Sequence, residues 1–238
     1  MYCIEVENLD KFYNGIKVLD SVSFHISCGE RWALIGPNGA GKSTTLKILA
    51  GLIPLDRGEV RIMGYKPGSE EAKRLIGYLP EDSDPFPALS VEDNLKFIAA
   101  LRNVKNAEDY IEYLLALLDL SKYRNYKASS LSKGNKQKLA IAMVLLSKPK
   151  ILLLDEPLNY LDLPSQETVI QLLSELNDVT VLVSTHIMSI ANRLADNALI
   201  IVNGKIRWKG RFEELQRLGE GSLEKAIIDI MKGRLRTE

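Results

Sequence analysis

The first ninety residues contain short stretches in which hydrophobic and polar positions follow the pattern of β-strands. Alternation with a period of two is typical of a strand with one buried face, and turn-forming residues separate the stretches. Strands are predicted over residues 3–6, 22–26, 31–35, 59–63 and 76–79. One helix, over residues 44–50, is expected to interrupt them and to end at Gly51.

The pattern becomes helical from Ser90 to about residue 146. Ser90 followed by Asp93 is typical of a capping box, in which the cap residue and the third helical residue exchange hydrogen bonds. Hydrophobic residues then recur three and four positions apart, as on the buried face of a helix. We therefore predict a helical insert over about residues 90–146.

Hydrophobic residues run without interruption over residues 151–154, and residues 179–183 are hydrophobic apart from Thr180. Such runs, separated by helical segments, are typical of strands that are buried on both faces of a parallel sheet. A hairpin with Asn203 and Gly204 at its turn is predicted next. The amphipathic stretch that begins at Leu223 is expected to pack on the core or on a partner.

The composition of this 238-residue chain is that of a globular protein without net charge. Lysine and arginine total 31, as do aspartate and glutamate, which disfavours binding to nucleic acid by phosphate neutralisation. The longest apolar run, residues 139–146, is far shorter than the roughly 18 residues that span a bilayer, and the first residues do not resemble a signal peptide. Cys3 and Cys28 are expected to be buried, reduced thiols of a soluble cytosolic protein.

Residues 36–44 match the phosphate-loop pattern G-x-x-x-x-G-K-[ST]. The segment follows a predicted strand and opens a predicted helix, as the motif requires, whereas the alternative is a glycine-rich turn without a ligand. Glycines let consecutive N–H groups point at an anion, Lys42 reaches the β- and γ-phosphates, and Ser43 offers a hydroxyl to Mg²⁺. The predicted nucleotide-binding residues here are Asn38, Gly39, Ala40, Gly41, Lys42, Ser43 and Thr44.

Asp155 and Glu156 follow the apolar run at residues 151–154. Ligands of open α/β sheets bind at the carboxyl ends of the strands. An acid at that edge can hold Mg²⁺, and its neighbour can activate a water. A solvated strand end is the alternative, but the phosphate loop favours the functional interpretation.

Three further segments carry a family resemblance. Residues 131–138 cap a helix before the acidic strand, residues 183–186 close the next strand, and Tyr13 precedes residues 18–24. With the phosphate loop, in this order and spacing, they resemble the nucleotide-binding (ATPase) subunit of an ABC-type transporter over nearly the whole chain. The resemblance implies an α/β fold in which a phosphate-loop ATPase core carries an N-terminal antiparallel β subdomain and an inserted α-helical subdomain.

The resemblance also implies a domain organisation and a branch of the family. Residues 1–238 are expected to form one ATP-binding domain, with the helical subdomain over about 90–146 and a helical tail over about 211–238. Ser222 and the apolar helix after it resemble the tail of export-type members. A capped terminal helix explains the same pattern.

Several residue roles are implied by the resemblance. Tyr13 is expected to stack on adenine with Val18 at the edge of the ring, the alternative being an ordinary core or surface tyrosine. Glu81 stands where the family usually has a glutamine that contacts Mg²⁺ and the attacking water, unless it is simply a loop acid. Glu156 is expected to be the general base, and His186 to contact the γ-phosphate. The implied catalytic residues are Glu156, His186 and Glu81, and the implied Mg²⁺ ligands are Ser43, Glu81 and Asp155.

Three other positions point to a second subunit. Ser132 and Gly134 match the signature positions that contact the γ-phosphate of ATP bound to the opposite subunit. Asp162 matches the loop that joins the two active sites, although an ordinary helix N-cap is the alternative. Lys133 replaces the usual glycine of the signature and Asn135 the usual glutamine.

The function implied is that of an ATPase subunit that dimerises around two ATP molecules, with a copy of itself or a paralogue. It would power a separate multi-spanning membrane permease, an exporter by the family pattern, from the cytoplasmic side of the cell membrane. The helical insert and the Glu81 loop would form the docking groove, and no nucleic-acid partner is expected. The alternatives are a soluble ABC-type ATPase that acts on ribosomes or in DNA repair, and a nucleotide sensor that does not hydrolyse ATP.

Overall fold

The computed structural model describes residues 1–235, and within that range it has nine strands and nine α-helices. The strands are β1 (Tyr2–Tyr13), β2 (Ile16–Ser27), β3 (Arg31–Ile35), β4 (Arg57–Ile62), β5 (Ile76–Leu79), β6 (Ile151–Asp155), β7 (Thr180–Thr185), β8 (Asn197–Val202) and β9 (Lys205–Arg211). The helices are α1 (Lys42–Leu49), α2 (Glu70–Leu75), α3 (Val91–Leu101), α4 (Ala107–Leu117), α5 (Lys133–Leu146), α6 (Leu163–Ser174), α7 (Met188–Leu194), α8 (Phe212–Leu218) and α9 (Leu223–Met231). None of these helices is long and apolar enough to cross a membrane.

The strands form two sheets, which confirms the predicted α/β fold. An antiparallel sheet has the order β2-β1-β4, and a larger sheet has the order β5-β6-β7-β3-β8-β9. Strands β5, β6, β7, β3 and β8 are parallel to their neighbours, and β9 closes the edge antiparallel to β8. The predicted helical insert contains α3, α4 and α5 between β5 and β6.

The larger sheet is covered on both faces. In β3, Ala33 and Ile35 pack into the apolar cluster that includes the helical insert, whereas Leu34 packs into the cluster under the antiparallel sheet. The apolar run in β6 divides in the same way, because successive side chains of a strand point to opposite faces. The prediction of strands buried on both faces is therefore confirmed.

The N-terminal hairpin is longer than the alternating pattern predicted. Strands β1 and β2 pair along twelve residues each, but the register shifts at several points, one of them between Val6 and Leu9. A bulge adds a residue and reverses the side-chain alternation, so the period of two is interrupted at each shift. Helix α2 was also not predicted, since six residues are too few to show a helical period, although Ser69 caps it by accepting the N–H of Ala72 at 3.2 Å.

The expectation of two reduced thiols is wrong in this structure. Cys3 and Cys28 form a disulfide, with Cys3 buried and Cys28 exposed. The hairpin register pairs Tyr2 with Ser27, and the N–H of Cys28 donates to the carbonyl of Met1. This register brings the two Cα atoms to 4.8 Å, within the range that a disulfide bridges.

The C-terminal tail packs on the protein's own core. Ala226, Ile227 and Ile230 of α9 are buried in the cluster that also contains Phe212 and Leu215 of α8. The hydrophobic face of α9 is thus covered within the chain. Of the two predicted alternatives, packing on the core and packing on a partner, the structure has the first. The last three residues of the predicted tail, 236–238, lie outside the described residues.

Candidate functional site

The phosphate loop joins β3 to α1 in the predicted strand–loop–helix arrangement. Gly39 and Gly41 have φ angles of +78° and +106°, in the region that favours glycine. At Gly41 a Cβ atom would also lie 2.5 Å from Leu19 Cδ2, so this position excludes a side chain. The buried Lys42 ammonium donates to the carbonyls of Gly36 at 2.8 Å and Pro37 at 3.3 Å. A cation is therefore held at the centre of the loop.

Two buried carboxylates lie at the carboxyl end of β6. The hydroxyl of Ser184, on the neighbouring strand β7, donates a short hydrogen bond to Asp155. The N–H of Glu156 donates to the carbonyl of the same serine at 3.1 Å, and Glu156 has a φ of +48°. Its Oε1 lies 2.8 Å from Nδ1 of His186. Adjacent strand ends thus place a carboxylate and an imidazole in direct contact.

Glu81 adds a third carboxylate near this pair. Burial first, and then the charges of Asp155, Glu156 and Asp82, raise the pKa of Glu81 above its ordinary value. The pKa of Tyr78 is raised far above its ordinary value by burial and then by the charges of Asp155 and Glu81. The two pKa shifts share both causes, which are burial and then the negative charge concentrated at this edge of the sheet.

A cavity of about 540 Å³ brings most of the predicted nucleotide-site residues together. Its lining contains Tyr13, Val18, Asn38, Gly39, Gly41, Lys42, Ser43, Thr44, Glu81, Glu156 and His186. The Tyr13 ring is 44% exposed, which excludes the alternative of a core tyrosine. Ala40 and Asp155 are buried and do not line this cavity.

Three predicted residues lie elsewhere. Ser132 and Gly134 begin α5 and, like Asp162, are not among the described residues that line the cavity. Ser132 accepts the N–H of Asn135 at 3.3 Å. Asp162 accepts the N–H of Ser165 at 3.0 Å and therefore caps α6, as the alternative interpretation expected.

Two residues that support the site were given no role by the sequence analysis. Ser184 holds Asp155 and Glu156, but only the pairing of β6 with β7 reveals this. Gly204 donates to the carbonyl of Ala40 at 3.1 Å, and a Cβ atom there would lie 2.3 Å from the carbonyl of Val18. The Asn-Gly dipeptide predicted a hairpin turn. It did not predict that this turn would lie between Ala40 of the phosphate loop and Val18.

The donor set suits a magnesium ion that binds together with a nucleotide. No group of three or more His, Cys, Asp or Glu side chains able to hold a metal ion by themselves exists in the described part of the chain. Ser43 lines the cavity, and Asp155 is buried and does not line it. Mg²⁺ prefers one or two protein oxygens together with phosphate oxygens and water, and this site offers that combination.

A family model described as ABC transporter matches residues 19–159. The chain belongs to the ABC transporter family. This ABC protein is 34% identical over 219 residues to the lantibiotic transport ATP-binding protein SrtF of Streptococcus pyogenes, with 91% of this chain and 94% of SrtF covered. The solved ATP-binding subunit of an ABC transporter matches it with a TM-score of 0.89 and 32% identity, over 96% of this chain and 99% of that one.

A second solved structure is informative about ATP hydrolysis. The ATP-binding cassette MJ0796, a dimer in a post-hydrolysis state with ADP and Pi bound, matches with a TM-score of 0.80 and 28% identity, over 87% of this chain and 98% of that one. The resemblance inferred from the motifs is confirmed. The chain is an ATP-binding and ATP-hydrolysing member of the ABC transporter family.

Proposed function

We propose that this ATPase forms a head-to-tail dimer around two ATP molecules and drives a separate membrane permease. The dimer is inferred from one observation, which is that the nucleotide site of a single chain is incomplete. The cavity has the phosphate loop, Glu156 and His186, whereas Ser132 and Gly134 lie at the start of α5 outside it. A second subunit would bring its own α5 against the γ-phosphate, so that ATP bridges the interface. The MJ0796 cassette, which was solved as a dimer, supports this arrangement.

Each element of the cavity has a part in hydrolysis. Backbone N–H groups of the phosphate loop bind the phosphates, and Lys42 exchanges its carbonyl partners for β- and γ-phosphate oxygens. Glu156 accepts a proton from the attacking water. His186 holds the Glu156 carboxylate through Nδ1 and leaves its other ring nitrogen for the γ-phosphate.

The remaining residues bind the adenine ring and the metal ion. Tyr13 offers an exposed ring for stacking, with Val18 beside it in the cavity lining. Mg²⁺ would be held by Ser43, Asp155 and Glu81 and would offset phosphate charge. Burial, and then the neighbouring carboxylates, raise the pKa of Glu81, and the repulsion among these carboxylates favours a cation at that place.

A groove between the Glu81 loop and the helical insert supports permease docking. It has a volume of about 240 Å³, and its lining includes Tyr78, Ile98, Arg102 and Met143. Exposed hydrophobic side chains lie in the same loop and helix: Phe86, Phe97 and Leu101 are 42%, 44% and 63% exposed. A short apolar helix of a permease at the cytoplasmic face of the membrane would cover them. Export is the proposed direction, because SrtF is named for lantibiotic transport.

Affinity purification from gently solubilised native membranes tests the transporter role. A tagged chain should recover a multi-spanning protein in near-stoichiometric amount, as found by mass spectrometry. A matched variant with Phe97→Ser and Leu101→Ser should keep ATPase activity and lose that partner, because only the docking surface changes. Recovery of ribosomal or DNA-repair proteins without a membrane protein would contradict the proposal and favour the soluble alternative.

A further inference from the structure

The first turns of α5 contact the two loops that carry Glu81 and Glu156. The loop after β5 contains Asp84, whose Oδ1 lies 3.0 Å from Nζ of Lys136. The loop after β6 contains Tyr160, and Nζ of Lys133 lies 5.1 Å from the centre of its ring. One end of one helix is thus tied to both loops.

Two further contacts fix the loop after β6 against the same helix end. The buried side-chain amide of Gln137 donates to the carbonyl of Pro157 at 3.0 Å. At Gly134 a Cβ atom would lie 2.7 Å from the carbonyl of Tyr160, so the loop backbone passes directly over the helix. This loop begins next to Glu156, and only three residues separate Glu156 from Tyr160.

Lys133 and Lys136 reach across a cavity that lies between α5 and the two loops. A cavity of about 230 Å³ separates the three segments, and its lining includes Asp84, Lys133, Lys136, Gln137 and Tyr160. Two contacts cross this cavity, that of Lys136 with Asp84 and that of Lys133 with Tyr160.

Lys133 and Lys136 lie at the N-terminal end of α5, where a cation is unfavourable. Cations near a helix N-terminus are unfavourable because they face the positive end of the helix dipole, and the first turn of α5 contains no acid. The ring of Tyr160 and the carboxylate of Asp84 offset this cost. Lys133, which replaces the usual glycine of the signature, contacts Tyr160 in this chain.

We propose that Lys133 and Lys136 are positioning residues for ATP hydrolysis. Lys136 orients the loop of Glu81 through Asp84, and Lys133 orients the loop of Glu156 through Tyr160. The inference rests on the proposed function, since it assumes that the two glutamates act at the γ-phosphate. Neither lysine is a catalytic residue, so their loss should change turnover and leave ATP affinity unchanged.

Steady-state ATPase assays of the full chain test the Lys133 contact. Lys133→Ala and Tyr160→Leu should each lower kcat roughly three- to fivefold, with KM for ATP unchanged, and the double variant should be no worse than either. Lys133→Arg and Tyr160→Phe keep the cation and the ring and should keep kcat. Lys148→Ala is the matched control, because it removes a cation–ring contact of 5.2 Å with Tyr110 far from the site.

The Lys136 contact has its own test. Lys136→Asp should lower kcat, and the exchange Lys136→Asp with Asp84→Lys should restore it, whereas Lys73→Ala, which removes an ion pair of the same 3.0 Å length, should have no effect. ATP hydrolysis by the wild type, together with its loss in Glu156→Gln, supports the proposed function independently of the two lysines. Under that condition, full activity of Lys133→Ala and Lys136→Asp overturns the inference while the proposed function stands. A wild-type chain without ATPase activity overturns both.

Discussion

Glu156 occupies an unusual position for a carboxylate. It is buried, its φ is +48°, and one of its oxygens is held by His186. Such backbone angles cost free energy in a residue other than glycine, and they persist where surrounding contacts impose them. Here the contacts come from Ser184 on the next strand.

Glu156→Gln should bind ATP and scarcely hydrolyse it. The amide keeps the size of the side chain but cannot accept the proton, so we expect kcat to fall at least about 100-fold. Phosphate release measures turnover, and size-exclusion chromatography with ATP should show a stabilised dimer. Glu167→Gln, at an exposed glutamate paired with Arg193, is the control. Rapid hydrolysis by the Glu156 variant would contradict the assignment of the base.

Ser184→Ala should destabilise the fold and weaken the metal site. The buried Asp155 carboxylate loses a hydrogen bond from the serine, which costs about 1–3 kcal/mol of unfolding free energy. Urea unfolding measures this loss, and the Mg²⁺ concentration needed for half-maximal ATPase activity should rise. Ser130→Ala removes an exposed serine hydroxyl and serves as control. Equal unfolding free energies for the two variants would exclude a supporting role for Ser184.

At the scale of elements, the site depends on two hairpins that meet. The turn between β8 and β9 lies against β2, where Gly204 accepts the N–H of Asp20 at 2.9 Å. Lys205 of β9 pairs with Asp20 at 2.8 Å, and Lys17 pairs with Asp10 at 2.9 Å. The contacts of Asp20 hold the strand that carries Val18 against this turn, and the N–H of Gly204 joins the turn to Ala40 of the phosphate loop.

Gly204→Ala should cost more stability than an ordinary glycine substitution. Its φ is +72°, and the added methyl would lie 2.3 Å from the carbonyl of Val18. Gly64→Ala is the matched control, since Gly64 has a φ of +83° and no atom within 4 Å of the added methyl. We expect about 1–3 kcal/mol of further destabilisation at Gly204, measured by urea unfolding, together with weaker ATP binding. Equal losses in both variants would show that the hairpin does not press on the site.

The ion pairs of Asp20 should make the junction acid-sensitive. A hydrogen bond from Lys17, and then one from Lys205, lower the pKa of Asp20 from 3.8 to about 2. The folded protein therefore favours the charged form, so its contribution is complete above pH 3.8 and is lost as the pH falls through about 2. The difference in Tm between the wild type and Asp20→Asn should shrink across that range. A constant difference would mean that the charge of Asp20 does not stabilise the fold.

At the scale of the whole molecule, the disulfide ties the start of the chain to the segment before β3. It closes a loop with a sequence separation of 25. Cross-linking a loop of this size restricts the unfolded chain and stabilises the fold by roughly 3 kcal/mol in the chain-entropy account. The strand that leads into the phosphate loop follows this link directly.

Reduction should therefore lower the unfolding free energy by a few kcal/mol without abolishing the fold. Urea unfolding with and without reductant measures the change, and Cys28→Ser should resemble the reduced wild type and not respond to reductant. Two titratable thiols in the unreduced, denatured protein would contradict the disulfide.

Local patterns in the sequence were sufficient for the parts that neighbouring residues encode. The buried runs of β6 and β7, the phosphate loop and the capping of α5 at Ser132 each depend on residues a few positions apart, and all were predicted. The phosphate-loop residues and the acidic pair could be predicted as well, because their motifs follow strands whose carboxyl ends share one sheet edge. The family resemblance, and not this reasoning, implied the nucleotide-site roles of Tyr13, Val18, Glu81 and His186. The six-residue α2 and the full length of β1 were missed, since their patterns are too short or are interrupted by bulges.

Tertiary structure alone decided the contacts between segments that are distant in the chain. The hydrogen bonds of Ser184, the position of Gly204, the pairing of Cys3 with Cys28 and the two lysine contacts of α5 all depend on strand order, hairpin register and helix placement. Hydrophobic periodicity specifies which face of an element is buried, but it does not specify which residue of another element lies opposite. The sequence thus determined the chemistry that this protein carries, and the packing of its elements determined how that chemistry is held.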